Sequence, residues 1–416
     1  MGKWVKERLD KIMEVNPKSD CLPSEFIYID LESVKQGRLL QQKIVGKDGA
    51  PSRAQRTLKP KDVLFQLVRP YQQNNYYFEP HDERDYVAST GYAVLRTDQD
   101  SKFCYFLLHR NEFQNRVEAL CTGTGYPAIT PKELSRIDIC HPVSLAEQRH
   151  IAEILTTCDE VIEKSEAVAE KYRAIKAGML NDLFTRGIGK NGKLRPPPES
   201  APQLYKDTAL GKVPREWEIK TIGEMFSFKN GVSKGKEYFG HGVPIVNFTD
   251  VFNKPRITPD ALKGRVEMDR HEIESFAVKS GDVFFTRTSE TPEEIGMAAV
   301  VIGEFVDTVF SGFVLRGRPI SEDLEDEFKV FCFRTDAIRK RIVGDCSYTT
   351  RALTNGTKLS AIKMGVPSKC EQQRIAERLS AIDAKIAGEL AVIAKYRKVK
   401  AGLMARLLTP PDMEVE

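Results

Sequence analysis

A chain of 416 residues with 41% hydrophobic and 29% charged residues is an ordinary globular composition, long enough for about two to four domains. No apolar run approaches the ~18 residues that a spanning helix needs, and Met1-Gly2-Lys3-Trp4 opens no secretory signal, so a cytoplasmic protein away from membranes is expected. The net charge of +4 excludes little, but its distribution is informative: Ser33 to Gln72 carries nine Lys or Arg against Asp48 and Asp62, whereas Glu147 to Gly178 is net −2. A basic region suits a polyanion and an acidic helical region suits a protein partner.

In chain order, Trp4-Val5-Lys6 leads into Leu9 and Ile12, and Trp217-Glu218-Ile219-Lys220 leads into Ile222 and Met225 at an offset of 213. Leu58-Lys59-Pro60-Lys61-Asp62-Val63-Leu64-Phe65 returns as Val278-Lys279-Ser280-Gly281-Asp282-Val283-Phe284-Phe285 at an offset of 220, each reading as a turn that feeds a short buried strand. Glu133-Leu134-Ser135 returns as Lys358-Leu359-Ser360 at 225. The strongest repeat is Glu147 to Gly178, which matches Glu371 to Gly402 at 16 of 32 positions without a gap. The order of anchors is kept while the loops between them differ in length. This is a duplicated half-molecule rather than a solenoid. Glycine-rich punctuation between short apolar runs predicts a mixed, mostly β domain of ~140 residues in each half.

The repeated stretch reads as a long helix. Ile151, Leu155, Cys158, Ile162, Ser165, Ala169 and Tyr172 advance by alternating steps of 4 and 3, as do Ile375, Leu379, Ile382, Ile386, Glu389, Ile393 and Tyr396. That is coiled-coil spacing, and the two stripes are expected to bury each other in an antiparallel pair. Ser165 and Glu389, at matching stripe positions, suit a marker of register. The resulting plan is a globular domain at 1–146, a helix at 147–186, a Pro-rich connection at 187–212, a second domain at 213–370, a second helix at 371–409 and an acidic tail at 410–416. Prolines 196 to 198, Pro202 and Pro214 predict that the connection is an extended, semi-rigid spacer.

Globular domain, long helix, globular domain, long helix, with Glu-Gln before Ile-Ala-Glu and Lys-Ala-Gly near each helix end, resembles the specificity subunit of Type I restriction-modification systems. Val213-Pro214-Arg215-Glu216-Trp217, Gly242-Val243-Pro244-Ile245-Val246-Asn247 and Gly281-Asp282-Val283-Phe284-Phe285-Thr286-Arg287 add to the resemblance, which covers nearly the whole chain. It implies an α+β fold of two target recognition domains separated by two long antiparallel helices with pseudo-twofold repeat. It also implies that each domain reads one half of a bipartite site in double-stranded DNA. The expected partners are two methyltransferase subunits docked on the helices, and restriction subunits in a larger complex. S-adenosylmethionine is expected in the methyltransferase partner, with no cofactor on this chain.

Base and phosphate contacts call for Arg, Lys, Asn, Gln, Ser, Thr and Tyr in loops. The candidates in the first domain are Arg53, Arg56, Arg69, Tyr71, Gln72, Gln73, Asn74, Asn75, Thr122, Thr124 and Tyr126. In the second they are Lys229, Asn230, Ser233, Lys234, Lys236, Arg287, Thr288, Ser289, Tyr348, Thr349, Thr350, Arg351, Asn355 and Lys358. No catalytic motif is found: Thr122-Gly123-Thr124-Gly125 precedes a proline rather than a helix, and Asp207 with Glu218 and Lys220 makes only a loose nuclease-like set. Eight scattered cysteines and six scattered histidines offer no metal-ligand spacing. A different class of reading is a non-catalytic coiled-coil adaptor joining two protein-binding domains; it predicts no DNA binding.

Overall fold

The apolar runs after Asp62 and Asp282 are strands in which every residue is buried, Val63–Gln66 and Val283–Thr286. In the computed structural model, which describes residues 3–80, 82–348 and 351–410, they are interior strands of two units, Met1–Ala167 with Glu389–Glu416, and Val168–Gly388. Side chains alternate across a strand. Val63 and Phe65 therefore enter one core with Phe103, Phe106 and Phe113, and Leu64 enters another with Ile27, Ile29 and Tyr92. In the second unit Val283 and Phe285 join Phe226, Phe328 and Phe333, while Phe284 joins Val246, Val301 and Phe310.

The first unit has two four-stranded sheets. Their orders are 43–46, 25–29, 86–89, 54–57 and 14–15, 92–96, 63–66, 76–77. The second has a five-stranded sheet in the order 226–230, 314–319, 283–286, 298–301, 256–257, and two three-stranded sheets. In each unit the strand after the tryptophan pairs antiparallel with the strand before the long helix: Trp4–Arg8 with Asp138–Pro142, and Glu218–Thr221 with Lys363–Val366. This is the α+β, mostly β architecture expected of both halves.

Two polar devices are built twice. Asp62, 1% exposed, receives Arg96 Nε and Nη2 at 2.7 Å each and the Lys59 N–H at 2.8 Å; Asp282, also 1% exposed, receives Arg318 at 2.8 and 2.7 Å and the Lys279 N–H at 2.8 Å. The turn residue and the strand are thus tied to a neighbouring strand by a bidentate pair. The fully buried Gln148 accepts the Asp100 N–H at 3.0 Å and donates to Pro142 O at 2.8 Å. Gln372 accepts the Glu325 N–H at 2.9 Å and donates to Pro367 O at 2.9 Å. The glutamine of each Glu-Gln pair therefore sews the start of a long helix to the strand before it and to the cap of a short helix, 101–107 or 326–332.

The long helices run Leu145–Thr185 and Lys369–Leu407. Within the first unit Asp159 pairs with Lys400 at 2.6 Å and Glu166 with Arg397 at 2.8 Å; within the second, Lys176 pairs with Asp383 at 2.5 Å and Lys385 lies over the Tyr172 ring at 5.5 Å. In both places residue numbers rise on one helix as they fall on the other, so the local packing is antiparallel. Ile151, Leu155, Cys158, Ile162, Ser165, Ala169, Ile375, Leu379, Ile382 and Ile393 are buried, while Tyr172, Ile386, Glu389 and Tyr396 are half-buried. The stripes do not bury only each other: Ile151 and Leu155 belong to the core of the first unit's sheet, and Ile375 and Leu379 to that of the second.

The Pro-rich connection is not an extended spacer. Ile188 bridges to Leu194, Tyr205–Thr208 forms a hairpin with Gly211–Pro214, and Arg195 is 6% exposed. Its guanidinium meets Glu371 at 2.6 and 3.0 Å and Glu216 at 2.9 Å, while Glu371 also accepts the Ile188 N–H at 2.7 Å. Gly187, at φ +64°, lets the chain pass this pair: a Cβ there would lie 2.2 Å from Glu371 Oε1. Proline composition was overridden by a charge that has to be buried with its partner.

Removing one member of a buried pair leaves the other uncompensated, at a cost of about 3–5 kcal/mol. Glu371→Ala is therefore expected to lower the unfolding free energy of the second unit by that order and its denaturant midpoint accordingly, and Glu216→Ala, which removes a half-exposed partner, by much less. Equal midpoints for Glu371→Ala and the parent chain would show that the pair does not hold the connection.

Candidate nucleic-acid interface

In the first unit the loop after strand 63–66 is shaped from within. Gln66, 1% exposed, donates to Val68 O at 2.8 Å and Gln72 Oε1 at 2.9 Å and accepts the Asn74 N–H at 3.0 Å. Arg69 and Gln73 take left-handed backbone angles on either side of the turn Pro70–Gln72. Bridges Val68↔Ala128 and Thr122↔Ala128 bring the second loop alongside. The outcome is a surface cluster in which the half-buried Arg69 stacks its guanidinium 4.3 Å over Tyr126, which is 70% exposed, beside the exposed Tyr71, Gln72, Thr122 and Thr124. Arg53 is exposed at the same end, its carbonyl accepting from Thr90 in the turn whose Gly91 carbonyl accepts from Leu67.

Several candidates serve the loop instead. Asn75 is 1% exposed; its Oδ1 accepts the Gln66 N–H at 2.8 Å and its Nδ2 donates to His109 Nε2 at 3.3 Å. His109 donates from Nδ1 to Tyr105 O at 2.7 Å, and burial pushes its pKa down to about 4, so a neutral ring is part of the scaffold. Asn74 Oδ1 accepts the Gln36 N–H at 3.1 Å. Arg56 is half-buried on strand 54–57, and burial lowers its pKa. Gln73 is half-buried.

In the second unit the three-stranded sheet of 288–289, 352–353 and 347–348 joins Thr288 to Tyr348, which is 57% exposed. The Arg287 N–H donates to Phe313 O at 3.1 Å, and Gly312 N–H to Val232 O at 2.7 Å, so Arg287, Phe313 and the Asn230–Ser233 loop meet. Asn230, Ser233, Lys236 and Arg351 are exposed. Other candidates are consumed internally: Lys229 donates to Ser275 O at 2.6 Å, Lys234 pairs with Glu272 at 2.5 Å, Ser289 donates to Glu294 at 2.7 Å, Asn355 caps helix 356–361, and Lys358 donates to Ser347 at 2.6 Å. Thr349 and Thr350 lie outside the described residues.

Residue type alone misses the apolar members. Phe313, 62% exposed, and Leu353, 42% exposed, border the second cluster, and no polar-loop rule selects them. The signal for Phe313 is a large apolar residue in a turn next to glycine, Gly312-Phe313, while Leu353 on strand 352–353 carries no such mark. Of the nuclease-like set, Glu218 and Lys220 stay together at 3.4 Å, with Lys220 also on Asp323 at 2.6 Å, while Asp207 is paired with Lys212 at 3.0 Å. Among the described residues no group of three or more His, Cys, Asp or Glu is arranged to hold a metal ion, and no helix is long and apolar enough to cross a membrane.

The model of one sequence family, the Type I restriction modification DNA specificity domain, matches residues 10–171 and again 214–395. The MjaVIII specificity subunit of a Type I restriction enzyme from Methanocaldococcus jannaschii is 26% identical over 291 residues, 69% of this chain and 65% of that one. The HindI specificity subunit from Haemophilus influenzae is 23% identical over 56% of this chain and 62% of its own. This chain thus spans just under two thirds of both relatives' lengths. In fold it is similar to a Type-I restriction-modification S subunit from M. genitalium, with a TM-score of 0.57 at 17% identity over 99% of this chain and 97% of that one. A chain from a solved type I R-M system gives 0.56 at 18% identity, over 99% and 98%. With the family matched over both halves, the chain belongs to the Type I restriction modification DNA specificity domain family and carries that domain twice.

Proposed function

We propose that the chain is the DNA-reading and scaffolding subunit of a Type I restriction-modification enzyme and has no active site of its own. Each unit reads one half of a bipartite site in double-stranded DNA. The long helices set the half-site spacing and dock two methyltransferase subunits, which bind S-adenosylmethionine; restriction subunits complete the larger assembly. One observation carries this reading: the same frame is built twice, down to the Asp–Arg pair and the buried glutamine, and holds two different exposed clusters after equivalent strands. A constant frame with dissimilar surfaces suits a reader of two dissimilar half-sites. Arg69 with Tyr126 in one unit, and Arg287 with Tyr348 and Phe313 in the other, supply the guanidinium and aromatic groups for base edges.

Phosphate neutralisation makes log affinity fall linearly with log salt. The full chain, alone or with its methyltransferase partner, is expected to show this on mixed-sequence duplex. Arg69→Ala should weaken binding to the cognate site by about 1–3 kcal/mol and relax base preference in one half-site only, and Arg287→Ala should do so in the other. Selection from a randomised duplex library checks both. Loss of preference in the same half-site for both variants contradicts the assignment, and salt-independent or absent binding favours a protein-binding adaptor.

Methyl transfer from S-adenosylmethionine is expected only when the methyltransferase subunit is added; transfer by the purified chain alone refutes the non-catalytic role. Inserting seven residues into each long helix, about 10 Å of helix, should alter the spacing between half-sites and keep their bases. Altered bases at the original spacing would refute the spacer role.

A further inference from the structure

A cleft of about 450 Å³ in the first unit opens between the turn at Gln36–Arg38, the helix Ser101–Leu107 and the paired long helices. That volume lies in the range of small-molecule sites. Four cations line it, Arg38, Lys102, Arg397 and Lys400, against three carboxylates, Asp159, Glu163 and Glu166. Three of the cations are matched: Lys400 meets Asp159 at 2.6 Å, Arg38 meets Glu163 at 3.2 Å and Glu166 at 2.6 Å, and Arg397 meets Glu166 at 2.8 Å.

Lys102 makes no ion pair among the described residues, and Glu79, Asp159 and Glu163 act on its charge only from beyond ion-pair distance. Its ammonium is held 4.1 Å from the Tyr77 ring and 6.0 Å from the Tyr105 ring, and burial lowers its pKa. The Tyr105 hydroxyl, likewise without a hydrogen-bond partner among the described residues, borders the same cleft. Gly37, at φ +77°, leaves it room, since a Cβ there would lie 2.5 Å from that oxygen.

The second unit treats the equivalent place differently. Lys102 is the second residue of the helix whose cap, Asp100, is bonded by Gln148; its counterpart after Glu325, which Gln372 bonds, is Glu327. Glu327 pairs with Arg256, whose guanidinium also donates to Ser380 Oγ at 3.1 Å and lies 5.8 Å from the Phe331 ring. One copy closes the position with an ion pair, and the other leaves a partly desolvated ammonium without one beside a cleft. An unpaired charge in such surroundings is costly unless something completes it.

We infer that the cleft binds a small organic molecule through one singly charged group, a carboxylate or a phosphodiester, held by the Lys102 ammonium and the Tyr105 hydroxyl. An ammonium that forms no ion pair suits one negative charge, and the aromatic walls suit a planar body. This site does not depend on the DNA-reading function.

Calorimetric titration of the full chain with benzoate and with 3′,5′-cyclic AMP tests it. At least one probe is expected to bind saturably at one site per chain and to raise the melting temperature. Lys102→Met should weaken that binding at least tenfold, Lys102→Arg should retain it, and Tyr105→Phe should weaken it several-fold. The unliganded melting temperature of Lys102→Met should not fall, because the variant removes an unpaired charge. Absence of saturable binding by both probes, or equal binding by Lys102→Met, overturns the site. Displacement of a bound probe by duplex DNA would assign the charge to a strand phosphate and overturn the small-molecule reading.

Discussion

A buried side-chain amide joins each long helix to the domain that precedes it. Gln148 and Gln372 are fully buried, and each bonds a proline carbonyl at or just past the end of a strand on one side and the N–H of a helix cap on the other. A buried amide left without partners is expensive, so the strand end, the long helix and the short helix have to keep their mutual positions. The aspartate–arginine pairs Asp62–Arg96 and Asp282–Arg318 do the same for the central strand and the turn before it. The exposed clusters sit just beyond these strands, so their geometry derives from the two polar anchors.

The duplicated frame explains why the loops can differ so much. Residues in the frame are held by bonds that recur pair for pair, including Lys400–Asp159 and Lys176–Asp383 on the long helices. Loop residues answer only to local needs. Gln66 shapes one loop from beneath, while in the other unit the equivalent strand ends in Thr286, whose hydroxyl donates to Glu294 O at 2.9 Å. The same divergence leaves Lys102 unpaired where Glu327 has Arg256.

Much of the candidate interface was legible in residue type: Arg69, Tyr71, Gln72, Thr122, Thr124 and Tyr126 do come together, as do Asn230, Arg287, Thr288 and Tyr348. Asn75, Ser289, Asn355 and Lys358 carry equally suitable chemistry and are spent on buried bonds, caps and turns. A donor in a loop looks the same on paper whether it faces water or its own backbone. Phe313 is the converse, an apolar side chain that the turn turns outward.

The duplication, the two long helices, the strands after Asp62 and Asp282 and the family can all be read along the chain, because they rest on periodicity and spacing. Folding in three dimensions adds that Arg195 draws the Pro-rich connection against Glu371, that Ile151 and Ile375 serve a sheet's core as well as the helix stripe, and which polar loop residues stay exposed. The first of these turns on a partner 176 residues along the chain, and the desolvation of such a partner leaves no periodic trace in the sequence.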